Sequence, residues 1–377
     1  MLMPREKAGW IREFDYLRGF AILAIVTIHV MAYSNTITVP SLIPVVSDFL
    51  SHLADFGVPV FFFVSGFVLS LRYFDVQGMR TFYHRRLSSI LIPYIAFSSL
   101  YIVYNLYTIP GYTVERALWS LLLFDATGIF WFIAVLLQFY FLFPLLTRWQ
   151  HSSERRGRSW EMLAVSIALY IIWYLFLVTP LAQGLDTLAQ PVAGFGGLVA
   201  ARLFPGYLAF FVLGIWAQRT PATWDAWIAR TGSLTVIPLI LLLVVALQFL
   251  RLGPIWALLV LPFTILMLGP LYRASRWLMR RQGALARSTR AIGTYSYGIY
   301  LAHMLAIAVV VNRLWALGIF ADQAIFYLIL LPGTIMLSMA ALFLLNLLPF
   351  GERLSGVRVK ARPSRGGAST EPREERV

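Results

Sequence analysis

Three ionisable side chains, Asp15, Arg18 and His29, fall inside one apolar run, REFDYLRGFAILAIVTIHVMAYS from Arg12 to Ser34. An imidazole can take a proton from a hydroxyl near neutral pH, and a guanidinium can hold an anion or polarise a carbonyl. On an α-helix, the eleven residues from Arg18 to His29 make three turns plus about 20°, so the two side chains share a face roughly 16 Å apart along the axis. Asp15, three residues before Arg18, lies on that face and can pair with it. A polar stripe on a helix of Phe, Ala, Ile, Leu and Val is expensive in lipid unless it faces a bundle interior or a wet cavity. Two plainer readings stand beside this one. Asp15 and Arg18 can snorkel at a membrane surface, and His29 can be a buried hydrogen-bonding residue. The alignment of all three on one face favours the functional reading.

The elements that must position this stripe are membrane spans. Of 377 residues, 59% are hydrophobic and 13% charged, with a mean hydropathy of +0.75. That is the composition of a polytopic membrane protein. Apolar runs near twenty residues predict about ten transmembrane helices around a central polar pore: 13–34, 50–71, 87–108, 128–147, 160–180, 200–218, 233–250, 254–272, 291–312 and 323–348. The seventh and eighth are separated only by Arg251, Leu252, Gly253 and Pro254. Residues 112–125 are too short to span and read as an interfacial or re-entrant helix. The expected fold is all-α, with a membrane domain over 1–350 and a disordered basic tail over 351–377, rich in Gly, Ser, Pro and charge.

The net charge is +14. With the N-terminus placed inside, nearly every Lys and Arg falls in inside loops or the tail, as the positive-inside rule requires. Both termini are therefore expected in the cytoplasm of a bacterial-type cytoplasmic membrane. The basic excess is assigned to anionic lipid headgroups rather than nucleic acid. There is no cysteine, which excludes disulfides, thiolate metal sites and a cysteine acyl-enzyme. No His, Asp or Glu spacing suggests a metal site. No cleavable signal peptide is expected.

Several motifs, taken in order, resemble the acyltransferase-3 family of membrane O-acyltransferases. Asp15-Tyr-Leu-Arg18-Gly19-Phe-Ala21-Ile22, continuing to His29, is similar to the family's D-x-L-R-G-x-A-I and to its arginine, ten residues, histidine spacing. Gly57-Val-Pro59-Val-Phe61-Phe62-Phe63-Val-Ser65-Gly66-Phe67 resembles G-V-x-x-F-F-x-x-S-G-F. Phe82-Tyr83-His84-Arg85-Arg86, continuing to Pro93, resembles F-x-x-R-R-x-x-R-I-x-P, with Ser89 where the family has its further arginine. The stretch from Gly128 through Trp131 to Gln138, Tyr140 and Pro144 resembles the tryptophan-bearing fourth span. Phe210-Phe211-Val-Leu-Gly214 and Gly293-Thr-Tyr-Ser296-Tyr297-Gly298-Ile-Tyr300-Leu301-Ala-His303 complete the set.

This resemblance implies an integral membrane enzyme of the standalone type. It would move an acyl group, usually acetyl, from cytoplasmic acyl-CoA (acetyl-CoA) to a hydroxyl of a carbohydrate or surface glycan. Within it, His29 is expected as general base, or alternatively as a transient carrier of the acyl group. Arg18 would hold the donor or polarise its thioester, with Asp15 fixing the guanidinium. The roughly 16 Å between Arg18 and His29 matches the reach of a pantetheine arm, with Arg85 and Arg86 gripping its phosphates. Arg80 or the basic 273–290 loop could replace the arginine absent at Ser89.

The remaining candidates carry two readings each. His303, near Tyr297 and Tyr300, is either a second polar site in the pore or a structural hydrogen bonder. Ser65 beside Gly66 reads as close helix packing more readily than as a nucleophile. Trp131 reads as packing or an interface anchor, or as the wall of an acyl tunnel. His52 and Asp55, three apart, can pair on the acceptor side. A transporter or exporter of a lipid-linked sugar or small anion, with the same stripe lining its path, is the alternative function.

Overall fold

A computed structural model describes residues 4–38, 40–74, 79–188, 195–231, 236–250, 254–281 and 283–357; among them the regular structure is helical, without a strand. In chain order the helices are α1 (Pro4–Met31), α2 (Leu42–Ala54), α3 (Gly57–Tyr73), α4 (Met79–Thr108), α5 (Val114–Leu122), α6 (Trp131–Arg155), α7 (Glu161–Ile172) and α8 (Val178–Leu188). They continue as α9 (Phe195–Ala200), α10 (Leu208–Arg219), α11 (Pro221–Thr231), α12 (Ile237–Leu250), α13 (Pro254–Arg281), α14 (Ala284–Thr294), α15 (Ser296–Ala316), α16 (Ala324–Asn346) and α17 (Gly351–Ser355). Helix is what lipid demands, because each backbone N–H and C=O must find a partner within its own segment.

Among the described residues, eight helical stretches are long and apolar enough to cross a bilayer: Arg12–Thr36, Leu42–Tyr73, Arg80–Thr108, Trp131–Arg155, Glu161–Thr187, Ala257–Arg281, Ser296–Ala316 and Ala324–Asn346. The chain is an all-α polytopic membrane protein. These stretches match eight of the ten expected segments. The segment expected at 200–218 forms the shorter α10, and that at 233–250 contains the fourteen-residue α12. The proposed break at 251–253 lies outside the described residues.

α1 runs through the middle of the bundle, against α2, α3, α13, α14, α15 and α16, and Ile22, Val26 and Val30 on it are fully buried. Two glycine crossings fix its surroundings. A Cβ at Gly293 of α14 would overlap the Asp15 carbonyl oxygen, and one at Gly19 would press on the Thr289 carbonyl oxygen. Only glycine at both positions allows the backbones of α1 and α14 to approach this closely. In the same way, Gly66 of α3 rests on the Phe211 backbone, and Gly214 of α10 on the backbone of Phe63 and Phe67. At Glu13, α1 is pinned by Arg276 of α13, whose Nε lies 3.0 Å from Glu13 Oε1 and whose Nη2 lies 2.9 Å from Asp225 Oδ1.

The chain after α16 departs from expectation. Residues 351–357, assigned to the disordered tail, are packed: α17 lies against α4 and α16, Ser355 Oγ donates to Asn346 Oδ1 at 2.6 Å, and Ser355 and Val357 are buried. Small and apolar residues at these positions let a short helix dock where composition alone suggested a tail. The rest of that tail, 358–377, lies outside the described residues.

Candidate active site

The first helix carries the site. Arg18, Ile22, Ile25 and His29 stand at i, i+4, i+7 and i+11, so one face of α1 presents them in a row. The ends of that row are polar and its middle is apolar and buried, with Ile22 0% and Ile25 4% exposed. The continuous polar pore expected from Arg18 to His29 is therefore not what the packing gives. Two separate environments sit at the two ends of the stripe, joined by isoleucine side chains.

At the His29 end is a cavity of about 240 Å³, lined by Ile25, Ile28, His29, Asp55, Val58, Pro59, Trp131, Tyr170, Tyr174, Gly206, Tyr207, Phe210, Ala257 and Val260. Two interruptions in helical geometry border it. The chain turns at Asp55 and Phe56 between α2 and α3, which puts the Asp55 carboxylate into the cavity wall. There Asp55 Oδ2 lies 3.1 Å from His52 Nδ1. Pro59, in the first turn of α3, is tolerated because that turn has no intrahelical acceptor for its missing N–H. On the opposite side, α7 and α8 are joined by a π-helical turn at Trp173–Leu177, and Tyr170 and Tyr174 flank its start. Tyr170 donates from its hydroxyl to the Ala257 carbonyl, closing this wall against α13. Trp131, the first residue of α6, stacks on Tyr207 with centroids 5.0 Å apart at 27°.

His303 stands behind His29, with ring centroids 5.3 Å apart. It is fully buried. Its Nδ1 lies 2.8 Å from the Tyr300 carbonyl oxygen and 3.1 Å from that of Ile299. Two acceptors at Nδ1 fix the proton there, so Nε2 carries the lone pair. That Nε2 is buried with no hydrogen-bond partner among the described residues. A buried acceptor without a partner is costly, and this one stands next to a cavity imidazole, where an ordered water or that imidazole can meet it.

At the other end, three guanidiniums gather. Arg72 and Arg86 lie within electrostatic reach of Arg18, as does Tyr140. Arg86 Cζ sits 4.7 Å over the Tyr73 ring, and its Nε is buried without a hydrogen-bond partner. Asp15 balances part of this charge, 3.8 Å from Arg18 Nη1 and 3.6 Å from Arg290 Nε. Arg18 and Arg86 flank the Tyr140 phenol, Arg72 adds a third cation beside Arg18, and such a cluster with a donor left over suits a polyanion such as a chain of phosphates.

The acyltransferase-3 family model, described as an acyltransferase domain, matches residues 11–343. The chain belongs to the acyltransferase-3 family. It is a membrane acyltransferase. No curated protein matched in comparison, and no solved structure did.

The acyltransferase brings together some of the residues expected from sequence and separates others. His29 and Trp131 share the cavity, and His303 is in ring contact with His29. Arg18 and Arg86 meet at the basic end. Arg85 does not join them: it is exposed and faces a separate pocket with His84, Ser88, Ser89, Glu352 and Arg353. Consecutive residues on a helix point about 100° apart, which is why the pair splits. Ser89 donates to the Arg86 carbonyl oxygen at 2.9 Å. Tyr297 is not in the cavity wall; its hydroxyl donates to the Ile90 carbonyl oxygen at 2.9 Å, which ties α15 to α4. Ser65 is not in the cavity wall either, and its neighbour Gly66 makes the α3–α10 crossing.

Sequence reasoning missed Arg72 and the tyrosines 170, 174 and 207. Arg72 registered only as one more inside charge, although its place at the end of α3 pointed at the Arg18 level. The tyrosines lacked any spacing to His29, since α7, α8 and the segment before α10 meet the cavity only through tertiary packing.

Proposed function

We propose that this acyltransferase moves an acyl group, acetyl in the simplest case, from cytoplasmic acyl-CoA to a hydroxyl of a carbohydrate acceptor on the far side of the membrane. The observation that carries this reading is the division of one helix face into a cationic end and an imidazole end. Arg18, Arg72 and Arg86 bind the donor's phosphates. The pantetheine arm then runs along Ile22 and Ile25, whose apolar surface suits its methylenes, once their packing opens. Its thioester arrives at His29.

At the cavity, an acceptor hydroxyl donates to one nitrogen of His29. As the hydroxyl oxygen bonds to the thioester carbonyl carbon, His29 takes the proton; the C–S bond breaks and the proton passes to the departing thiolate. The Nε2 lone pair of His303 accepts from the other His29 nitrogen, directly or through a water. That contact holds the tautomer in which the catalytic nitrogen is free, the role an orienting partner plays in hydrolytic triads. The lining favours a sugar over an apolar acceptor, because Asp55 and several tyrosine hydroxyls stand among aromatic faces.

The test is mass spectrometry of cell-surface glycans from cells with and without the protein. The expected result is an acyl mass shift that depends on the protein. Unchanged glycans, together with protein-dependent sugar flux into vesicles lacking acyl-CoA, would favour a transporter instead.

A further inference from the structure

A second pocket, of about 430 Å³, lies against the His29 cavity. It falls within the roughly 300–1,000 Å³ of small-molecule sites. Tyr174 and Tyr207 line both pockets, so a wall of two phenols is all that they share. Beyond that wall the lining includes Trp173, Thr179, Gln183 and Asp186. The last three are spaced by four and three residues on α8, which places a hydroxyl, an amide and a carboxylate on one helix face.

The local backbone supports a binding role. The π-helical turn at Trp173–Leu177 interrupts the span between the two pockets, and such turns recur at functional sites. The turn holds Trp173 and Tyr174 together, one in the outer pocket and the other in both. Asp186 is held in place by the Gly196 N–H, which donates to its Oδ1 at 2.8 Å; the other carboxylate oxygen remains to accept. Among the described residues, no Lys or Arg lines the pocket.

We infer that this pocket is an outer subsite for a neutral polyhydroxylated chain, holding the acceptor residue next to the one presented to His29. The inference rests on the proposed carbohydrate acceptor. Aromatic faces take the C–H faces of a sugar, while Thr179, Gln183 and Asp186 take its hydroxyls. With a carboxylate present and no cation, an anionic ligand is disfavoured. The acceptor is therefore at least two residues long, and the enzyme acts on a chain rather than on a free monosaccharide.

Gln183→Trp tests this, because position 183 is exposed and a bulky ring there fills the pocket without entering the core. Two readouts are taken on wild type and variant: release of CoA thiol from acetyl-CoA by purified protein with water in place of the carbohydrate acceptor, and acyl content of surface glycans. The subsite predicts that thiol release persists in the variant while glycan acylation falls about tenfold or more, the loss expected when about 1.4 kcal/mol of acceptor binding is removed. The milder Thr179→Ala/Gln183→Ala pair should raise the acceptor KM with kcat little changed. Wild-type acylation in Gln183→Trp overturns the subsite and leaves the acyltransfer reading intact. Thiol release without glycan acylation in the wild type overturns the acceptor reading itself.

Discussion

His29 and His303 stand ring to ring, 5.3 Å between centroids, and only His29 reaches the cavity. The inner imidazole spends its Nδ1 proton on the carbonyls of its own helix, and its Nε2 lone pair has no partner among the described residues. The pair therefore resembles a base and its orienter more than two independent polar residues.

Removing the orienter should slow chemistry without weakening donor binding. His303→Ala is expected to lower kcat by about 5- to 150-fold, the equivalent of roughly 1–3 kcal/mol for an unmet hydrogen-bonding requirement, with KM for acetyl-CoA unchanged. His303→Gln can still accept a hydrogen bond and should recover part of the loss. Steady-state kinetics of thiol release checks both. Equal losses in the two variants, or a rise in KM alone, would contradict the orienting role.

The two neighbouring arginines of α4 should separate. Arg86→Gln removes a cation from the cluster with Arg18 and Arg72 and is expected to raise the acetyl-CoA KM by about 10- to 150-fold, as for one charge-assisted hydrogen bond of roughly 1.5–3 kcal/mol. Arg85→Gln faces the other pocket and should leave KM within a few-fold. Donor titration of the two purified variants gives the answer, and equal shifts would place both on the donor.

How much of this was legible beforehand divides along the same helix. The spacing of Arg18 and His29 on one face could be read directly, because a 3.6-residue period turns sequence separation into geometry within an element. So could most of the spans, from apolar length. What lay between the two polar ends could not: Ile22 and Ile25 read as ordinary membrane residues, and only packing shows that they seal the stripe. Arg85 and Arg86 read as one clamp because adjacency in sequence hides a change of face. The approach of His303 to His29 depends on how α1 and α15 pack, which no local pattern encodes. Residues 351–357 had the composition of a tail, and their order comes from a docking surface on other helices.

The glycine crossing at Asp15 makes a stability prediction. A methyl group at Gly293 would collide with the Asp15 carbonyl, so Gly293→Ala should cost about 1–3 kcal/mol from overpacking and should also displace Arg18 from its neighbours. Gly184 in α8 has nothing near the space a Cβ would take, and Gly184→Ala should be neutral or add about 0.5–1 kcal/mol through helix propensity. Thermal unfolding in one detergent compares them. A Gly293→Ala protein as stable as wild type would show that α1 and α14 are not packed this closely.

Removal of the acceptor proton by His29 is measured most directly as the rate of CoA thiol release and acyl transfer by purified His29→Gln against wild type. A fall of about 10²- to 10⁴-fold is expected, the contribution of a positioned base, with thermal unfolding and acetyl-CoA binding preserved. A folded His29→Gln enzyme that transfers acyl groups at the wild-type rate would contradict it.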